Sequence, residues 1–315
     1  MSVLNEAKGS RVLVYGAGPV GSYLTYKLRD AGLDVTILAR DRRVDYIRRY
    51  GVVLEPSDTG RTTSRKVGVI GRLFPEDAYD LVLVAVGKNR YSGVLPFLSA
   101  NISTPNVLFL GNNVEGPGEM IRLLGRERVL LGFPVMSVAM AGGVARYTAG
   151  EKTSIMMGEL DGSESERVKW IGEVLEGAGL EVTPSPDIEA WLKYHAAVIL
   201  PLACVYIDAG RDVNEMDRKG LNLAIRAIRE GFSALKDVDH TVVPRGLRWL
   251  EHLPTMLAVP YLQRELSKPE LGYVFVKGEA MQGELETLNE EFRELVRSSP
   301  SQTPTYDELS KVLSG

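Results

Sequence analysis

The first half of the chain alternates short apolar runs with longer amphipathic stretches. The apolar runs predict strands at 11–15, 35–39, 52–54, 68–70, 81–86, 107–110, 128–133 and 153–157. Apolar residues at helical spacing predict helices at 19–30, 41–50, 91–99, 115–125 and 163–179. The run 81–86 is apolar at every position, which is typical of a parallel strand buried on both faces. This alternation predicts a doubly wound parallel sheet of the Rossmann type.

The pattern changes along the second half. Residues 134–160 contain two β-like runs beside Ala141-Gly-Gly, and we expect them to extend the sheet edge in the antiparallel sense. Proline residues break the chain before Asp187, and the remainder has helical spacing throughout. We therefore predict an α/β fold with two domains, which suits 315 residues. A dinucleotide-binding Rossmann-like domain covers 1–186, and an all-helical domain for substrate binding and dimerisation covers 187–315.

Three glycines follow the first predicted strand and lead into the first predicted helix. They are Gly16, Gly18 and Gly21, with Pro19 and Val20 between the last two. Such a turn can bind a dinucleotide pyrophosphate on backbone N–H groups at the helix amino terminus. A glycine-rich turn in an ordinary α/β protein, or in a fold that has lost its cofactor, has the same pattern and is the alternative.

The end of the second predicted strand indicates which dinucleotide is bound. NAD sites place an acidic residue there, where it accepts hydrogen bonds from the ribose hydroxyls. This chain has Arg40 instead, followed by Arg42 and Arg43. A cationic pocket at this position favours the 2′-phosphate of NADP. Alternatively, Arg40 is a solvated residue at a strand end.

Composition sets limits on other classes of function. The chain has 37 basic and 41 acidic side chains and a net charge of −4, which gives no general attraction to nucleic acid or an anionic membrane. We expect no membrane-spanning segment and no metal site from Cys204, His195, His240 and His252. Cys204 lies in an apolar run, and we expect a buried, inert thiol in a reducing cytoplasm.

The helix that begins near Asp187 contains candidate chemistry. Lys193 could act as a general acid towards a carbonyl, although a lysine that only covers apolar surface is the alternative. His195 follows on another helix face, where a hydrogen-bonded structural role is the alternative to a titrating one. Farther on, Arg245 and Arg248 with Trp249 could bind a substrate carboxylate, or could form an ordinary surface face.

Several motifs together resemble the ketopantoate reductase (2-dehydropantoate 2-reductase) family, which reduces a 2-oxo acid with NADPH. They occur in family order over nearly the whole chain. The motifs are the glycine turn at 16–21, the strand ending in Arg40, residues 80–86, residues 110–116, residues 158–162, the segment from Asp187 to Lys193, residues 283–289 and residues 302–304.

The resemblance implies a role for each matching residue. The cofactor would contact the pyrophosphate turn, the 2′-phosphate arginine and two residues nearer the reacting centre, that is Gly16, Gly18, Pro19, Val20, Gly21, Arg40, Lys88 and Asn112. Lys193 matches the lysine that donates a proton to the carbonyl oxygen. Glu284 matches the glutamate that orients the substrate hydroxyl and that lysine.

The chain also departs from the family at four places. The family lysine after the 81–86 strand is Gly87 here, and Lys88 stands one place later. Successive residues leaving a strand point in opposite directions, so we expect Lys88 to point away from the ligand that the family lysine contacts. The family's asparagine–glycine pair is Asn112–Asn113. The substrate-side asparagines are missing at Ala197 and again near Leu200 and Pro201. We also do not recognise the family's serine-rich segment in residues 254–269.

The resulting hypothesis is an NADP-dependent oxidoreductase that acts on CH–OH groups, with a small 2-oxo acid such as ketopantoate as substrate and a place in pantothenate biosynthesis. We expect a cytoplasmic homodimer that pairs through the apolar faces around 196–207 and 222–234. Two alternatives stay open. One is an opine-type or 3-hydroxy acid dehydrogenase, and the other is a non-catalytic NADP-binding protein.

Overall fold

The computed structural model describes residues 9–149, 153–238, 243–266 and 279–313, with only the backbone of 279–281. His240 and the proline at 269 lie outside the described residues. The chain divides into two compact units. The first contains the chain through Gly111 together with Pro117–Ile188, and the second contains Asn112–Gly116 and the chain from Glu189 onward.

Twelve strands and five helices form the described part of the first unit. The strands are β1 (Arg11–Tyr15), β2 (Asp34–Leu38), β3 (Val52–Pro56), β4 (Thr63–Arg65), β5 (Gly68–Ile70), β6 (Leu81–Val84), β7 (Val107–Leu110), β8 (Val129–Val135), β9 (Val138–Ala141), β10 (Val144–Tyr147), β11 (Ser154–Gly158) and β12 (Glu181–Pro184). The helices are α1 (Pro19–Asp30), α2 (Arg42–Tyr50), α3 (Leu95–Ala100), α4 (Gly118–Leu124) and α5 (Glu166–Gly177). Short 3₁₀ turns occupy Lys88–Gly93 and Arg126–Arg128.

The main sheet has eight strands in the order β12-β11-β8-β7-β6-β1-β2-β5. All neighbours are parallel except β8 and β11, which pair antiparallel. The strand order reverses beside β1, because β2 and β5 follow on one side while β6, β7 and β8 follow on the other. This topology confirms the predicted doubly wound Rossmann-type sheet. In such sheets ligands bind beyond the carboxyl ends of the strands where the order reverses, here those of β1 and β6.

The prediction for residues 134–160 is wrong in part. β11 does extend the main sheet antiparallel to β8, as expected. β9 and β10 instead form a hairpin in a second sheet of order β4-β3-β10-β9, in which β10 pairs parallel with β3. The reason is that a run of alternating apolar residues specifies a strand but not its partner, and β3 offers a second edge to pair with.

The second unit is helical in its described residues. Its elements are α6 (Ile188–Asp208), α7 (Arg218–Asp237), α8 (Arg248–His252), α9 (Thr255–Leu266), α10 (Glu279–Val296) and α11 (Pro304–Leu309), with 3₁₀ turns at Val213–Glu215, Arg245–Leu247 and Ser310–Leu313. α6, α7 and α10 supply a single apolar core that includes Leu200, Ile228 and Phe292. The first unit has a separate core around β1, β2 and α1.

Helix α6 corrects an expectation from the sequence. By length and composition, Ile188–Asp208 is apolar enough to cross a membrane, whereas we expected no such stretch. The polar residues Lys193 and His195 interrupt the apolar run of this helix, but its mean hydropathy remains high. In the structure, 72% of the most apolar window is buried, as in a core helix of a folded domain.

Candidate functional site

The turn after β1 has the backbone geometry of a phosphate-binding loop. Gly16 has φ of +118°, a conformation that side chains other than hydrogen rarely allow, and a Cβ there would lie 2.5 Å from the carbonyl oxygen of Ala85. Gly18 has extended backbone and directly precedes α1, which has Pro19 as its first residue. The first turn of α1 contains no acidic residue, and Gly18 provides no side-chain cap. The N–H groups at this helix start are therefore available to an anion.

Gly18 and Gly21 differ in what surrounds them. A Cβ on Gly21 would overlap the carbonyl oxygen of Gly16, so the glycine permits close packing of the helix on the turn. A Cβ on Gly18 would meet no described heavy atom within 4 Å. The turn thus closes on itself at one glycine and leaves open space at the other, which fits a pyrophosphate approaching the backbone.

The three arginines after β2 have different surroundings. Arg40 and Arg42 are exposed. Arg43 is partly buried and donates hydrogen bonds to Ala17 O, Ser22 Oγ and Gly143 O. The predicted cationic pocket therefore consists of Arg40 and Arg42, because the guanidinium of Arg43 is already bound to the protein.

Lys88 is the first residue of the 3₁₀ turn Lys88–Gly93 and lies four residues after the end of β6. Its side chain is buried, and Nζ lies 5.5 Å from the ring centroid of Tyr91. The displacement by one residue relative to the family pattern thus places this lysine on an aromatic face.

The segment 112–116 belongs to the second unit and contacts α10. Asn112 Nδ2 donates to Glu284 Oε1 at 3.0 Å. Farther along α10, Glu291 Oε2 accepts from the backbone N–H groups of Val114 and Glu115 at 3.3 and 3.2 Å. Two carboxylates on one helix therefore fix this turn, and the structure brings the predicted residues Asn112 and Glu284 into direct contact.

Asn113 does not adopt the positive φ that a glycine at this place would suggest. Among described residues other than glycine, positive φ occurs at Asp41 and Arg211. Asn113 instead accepts a hydrogen bond from Gly116 N with its buried side chain, and Gly116 has the positive φ, at +90°. The side chain of Asn113 thus stabilises this turn through the Gly116 N–H.

Lys193 lies on α6 and is 4% exposed. Its Nζ donates to Glu189 Oε1 at 2.5 Å, one helical turn earlier. A buried ammonium needs such a partner, because an uncompensated charge away from water is costly. Sequence reasoning missed Glu189, although the i,i+4 spacing of a glutamate and a lysine was a usable signal. The same Glu189 oxygen lies 3.1 Å from where a Cβ on Gly116 would be, so the glycine leaves room for this carboxylate.

Asn112 has one polar atom that the fold does not use. Its Oδ1 is buried and has no hydrogen-bond partner among the described residues. An orphaned amide oxygen of this kind is costly unless a ligand or water donates to it. Together with the Glu284 carboxylate beside it, Asn112 can accept from a hydroxyl or an amide of a bound molecule.

The remaining candidate residues from the sequence have contacts that are typical of structural roles. His195 stacks on Trp191 with ring centroids 5.0 Å apart, and burial lowers its pKa to about 4. Burial also raises the pKa of the Cys204 thiol to about 12, in agreement with an inert thiol.

Arg245 and Arg248 are exposed, and Arg248 donates to the carbonyl of Val243. The described residues contain no group of three or more His, Cys, Asp or Glu that could hold a metal ion.

Comparison with known proteins identifies relatives. Residues 12–162 match the family model described as ketopantoate reductase PanE/ApbA. A 2-dehydropantoate 2-reductase of Mesorhizobium japonicum is 28% identical over 209 residues, covering 58% of this chain and 63% of that protein. An uncharacterized oxidoreductase of Bacillus subtilis is 27% identical over 192 residues, which cover 58% of this chain and 61% of that protein. The chain thus spans less than two thirds of the length of these curated relatives.

Solved structures share the fold over nearly the whole chain. The 2-dehydropantoate 2-reductase of Methylococcus capsulatus has a TM-score of 0.72 at 16% identity, with 96% of each chain covered. A D-mandelate dehydrogenase solved with NADH and anilino(oxo)acetate has a TM-score of 0.74 at 17% identity, covering 96% of this chain and 97% of the other. These findings confirm that the chain resembles the ketopantoate reductase family and has the two-domain fold of that family.

Proposed function

We propose that this protein is an NADPH-dependent reductase of a small 2-oxo acid. The observation that carries the proposal is the buried Lys193, held by Glu189 on a helix of a chain whose amino-terminal residues match the ketopantoate reductase family. A carbonyl reduction needs a proton donor for the developing alkoxide, and a buried, ion-paired ammonium is suited to that task.

The first unit would bind the cofactor. The backbone N–H groups at the start of α1 would receive the pyrophosphate, with Gly18 leaving space for it. Exposed Arg40 would pair with the 2′-phosphate, which is the basis for proposing NADPH in preference to NADH. The bound nicotinamide supplies the hydride.

The second unit would supply the proton and orient the substrate. Lys193 Nζ would donate a proton to the carbonyl oxygen of the substrate, and Glu189 would compensate the ammonium charge before this transfer. Asn112 and Glu284 are hydrogen-bonded to each other. The unpartnered Asn112 Oδ1 would accept a hydrogen bond from the cofactor near the reacting centre, and Glu284 would orient the substrate and Lys193.

A second substrate class has support from α6. Ala197, one turn after Lys193, is buried, as is Leu200, and a Cβ on Gly231 of α7 would lie 3.4 Å from the Ala197 methyl group. Apolar residues thus occupy positions where the family has substrate-binding asparagines. This favours a 2-oxo acid with an apolar or aromatic substituent over one with a hydroxyl, as in the structural relative named D-mandelate dehydrogenase.

The test is the oxidation of NADPH, followed by its absorbance, with a panel of 2-oxo acids. The panel contains ketopantoate, its analogue without the hydroxyl, and an aryl 2-oxo acid, each with NADPH and with NADH. We expect turnover with NADPH and a higher kcat/KM for the apolar members. Tight NADPH binding without oxidation by any member would favour the non-catalytic NADP-binding alternative.

The remaining alternative predicts a different requirement. An opine-type dehydrogenase would oxidise NADPH only when an amine accompanies the 2-oxo acid, and a 3-hydroxy acid dehydrogenase would act on a different carbon. The homodimer and the cytoplasmic location stay predictions. Sedimentation of the purified protein tests the first, and fractionation of cells tests the second.

A further inference from the structure

One guanidinium joins three parts of the first unit around the glycine turn. Arg43 Nε donates to Ala17 O at 3.3 Å, Nη2 to Ser22 Oγ at 3.0 Å and Nη1 to Gly143 O at 2.7 Å. Ala17 lies within the glycine turn, Ser22 lies in α1, and Gly143 lies in the hairpin between β9 and β10. The turn, the helix and the second sheet are therefore connected through a single side chain.

The guanidinium of Arg43 is fixed by its surroundings. Its Cζ lies 5.0 Å from the ring centroid of Tyr46, one turn along α2. Gly143 has φ of +86°, and a Cβ there would lie 2.6 Å from the same ring, so only glycine lets the hairpin carbonyl reach Arg43. Burial lowers the pKa of Arg43 from its usual value, although the group remains a cation. A desolvated arginine with this many fixed contacts holds one geometry.

The bond to Ala17 has a consequence for the next N–H group. The peptide between Ala17 and Gly18 is planar and trans, so its carbonyl and its N–H point in opposite directions. When Arg43 holds the Ala17 carbonyl, the Gly18 N–H is directed away from Arg43. Gly18 is the position with open space beside it, at the uncapped start of α1.

We propose that Arg43 is a positioning residue for dinucleotide binding, which orients the Gly18 N–H and makes the β9–β10 hairpin part of the cofactor site. Arg43 acts through the backbone and does not contact the 2′-phosphate. The inference rests on the dinucleotide binding proposed above. It assigns a function to the second sheet, which the Rossmann pattern alone does not require.

Arg40 and Arg43 are then expected to differ in their effect on cofactor choice. A contact to the 2′-phosphate, assigned here to exposed Arg40, affects NADPH alone. Orientation of a pyrophosphate donor affects NADPH and NADH equally, because both contain that group. The ratio of the two dissociation constants therefore separates direct contact from positioning.

The experiment measures Kd for NADPH and for NADH by fluorescence titration of the full chain. The variants are Arg43→Gln, Arg43→Lys, Ser22→Ala and Arg40→Ala, with Arg48→Gln as a matched control on the exposed face of α2. We expect Arg43→Gln to weaken both cofactors by the same factor, about tenfold, since charge-assisted hydrogen bonds are lost. Arg43→Lys should recover part of this affinity. Ser22→Ala should weaken both by a smaller equal factor, and Arg40→Ala should weaken NADPH only.

Thermal unfolding of each variant separates folding from binding. If Arg43→Gln does not fold, Ser22→Ala tests the inference, because alanine suits this helical position and removes only the hydroxyl that accepts from Arg43 and donates to Ala17 O at 3.4 Å. Loss of NADPH affinity alone in the Arg43 variants would overturn the inference, as would a lower Tm with both Kd values unchanged. If the wild-type chain binds neither dinucleotide, the proposed function itself fails. If the wild-type chain binds both and the Arg43 and Ser22 variants bind them with unchanged Kd values, only this inference fails.

Discussion

The two candidate sites are built in different ways. The proposed cofactor turn of the first unit consists of backbone groups within six consecutive residues, Gly16 to Gly21. Its geometry follows from the positions of its glycines. The site of the second unit consists of side chains from three separate segments, namely residues 112–116, α6 and α10. Asn112 pairs with Glu284 between two of these segments, and Lys193 pairs with Glu189 within α6. The first can be predicted from local sequence, whereas the second depends in part on a tertiary pair, Asn112 with Glu284.

This difference determines how each site should respond to substitution. A backbone site is sensitive to added volume, because a Cβ either overlaps the chain or fills the ligand's space. A site of paired side chains is sensitive to loss of a charge or a donor, because the partner is then left buried and uncompensated. Matched substitutions in the two units therefore test the comparison.

The largest effect is expected at Lys193. Replacement by methionine keeps the length of the buried side chain and removes the proton donor, so kcat should fall by about 10²- to 10⁴-fold. NADPH affinity should not change, because the cofactor turn is formed by the first unit alone. Steady-state rates and fluorescence titration measure the two quantities. Lys169→Met, at an exposed lysine of α5, is the control. Unchanged kcat in Lys193→Met would exclude it as the proton donor.

Two glycines of the cofactor turn should respond in opposite ways to the same change. Gly21→Ala places a methyl group on the carbonyl of Gly16, and we expect a loss of about 3 kcal/mol or more in the free energy of unfolding. Gly18→Ala meets no described atom, so stability should hold while dinucleotide affinity falls. Denaturant unfolding and NADPH titration test both. Equal destabilisation by the two variants would contradict the idea that one glycine serves packing and the other serves the ligand.

His195 tests α6 through its pH dependence. Burial lowers its pKa in the folded chain to about 4, below the usual 6.5. The unfolded chain therefore binds a proton more readily, so the contribution of His195 to stability is complete above pH 6.5 and is lost as the pH falls towards 4, by on the order of 2–3 kcal/mol. His195→Phe keeps an aromatic ring beside Trp191 and should show a shallower loss of Tm between pH 7 and 4. Parallel pH profiles of the two proteins would rule out this role.

Much of the fold was predictable because its signals are local. The doubly wound sheet was expected from runs such as 81–86, and α1 has the predicted bounds of 19–30. The partner of β10 could not be predicted, because either sheet satisfies its pattern of buried and exposed residues. A parallel pair such as β3 with β10 joins residues about ninety positions apart, for which the local sequence carries no signal.

The same limit applies to side chains at the candidate sites. The hydrogen bonds of Arg43 were not predictable, since its three acceptors lie 21, 26 and 100 residues away in sequence. Glu189 was within reach of a helical i,i+4 argument, because both residues of the pair lie on one helix. The contact between Asn112 and Glu284 spans 172 residues, and only the resemblance to a family indicated that both belong to one site.

The smallest effect concerns the two described residues other than glycine with positive φ, one in each unit. Asp41 has φ of +49°, is exposed and forms no side-chain cap for α2, so Asp41→Gly should relieve strain and stabilise the chain by about 0.5–1 kcal/mol. Arg211 has φ of +64°, but its Nη2 donates to Gln282 Oε1 at 3.0 Å. Arg211→Gly gains the same backbone freedom and loses this bond, so its stability should be unchanged or lower. Denaturant midpoints measure both variants. Equal stabilisation by the two variants would mean that relief of backbone strain at Arg211 outweighs the loss of its hydrogen bond to Gln282. The contrast between the two units would then not apply to their loops.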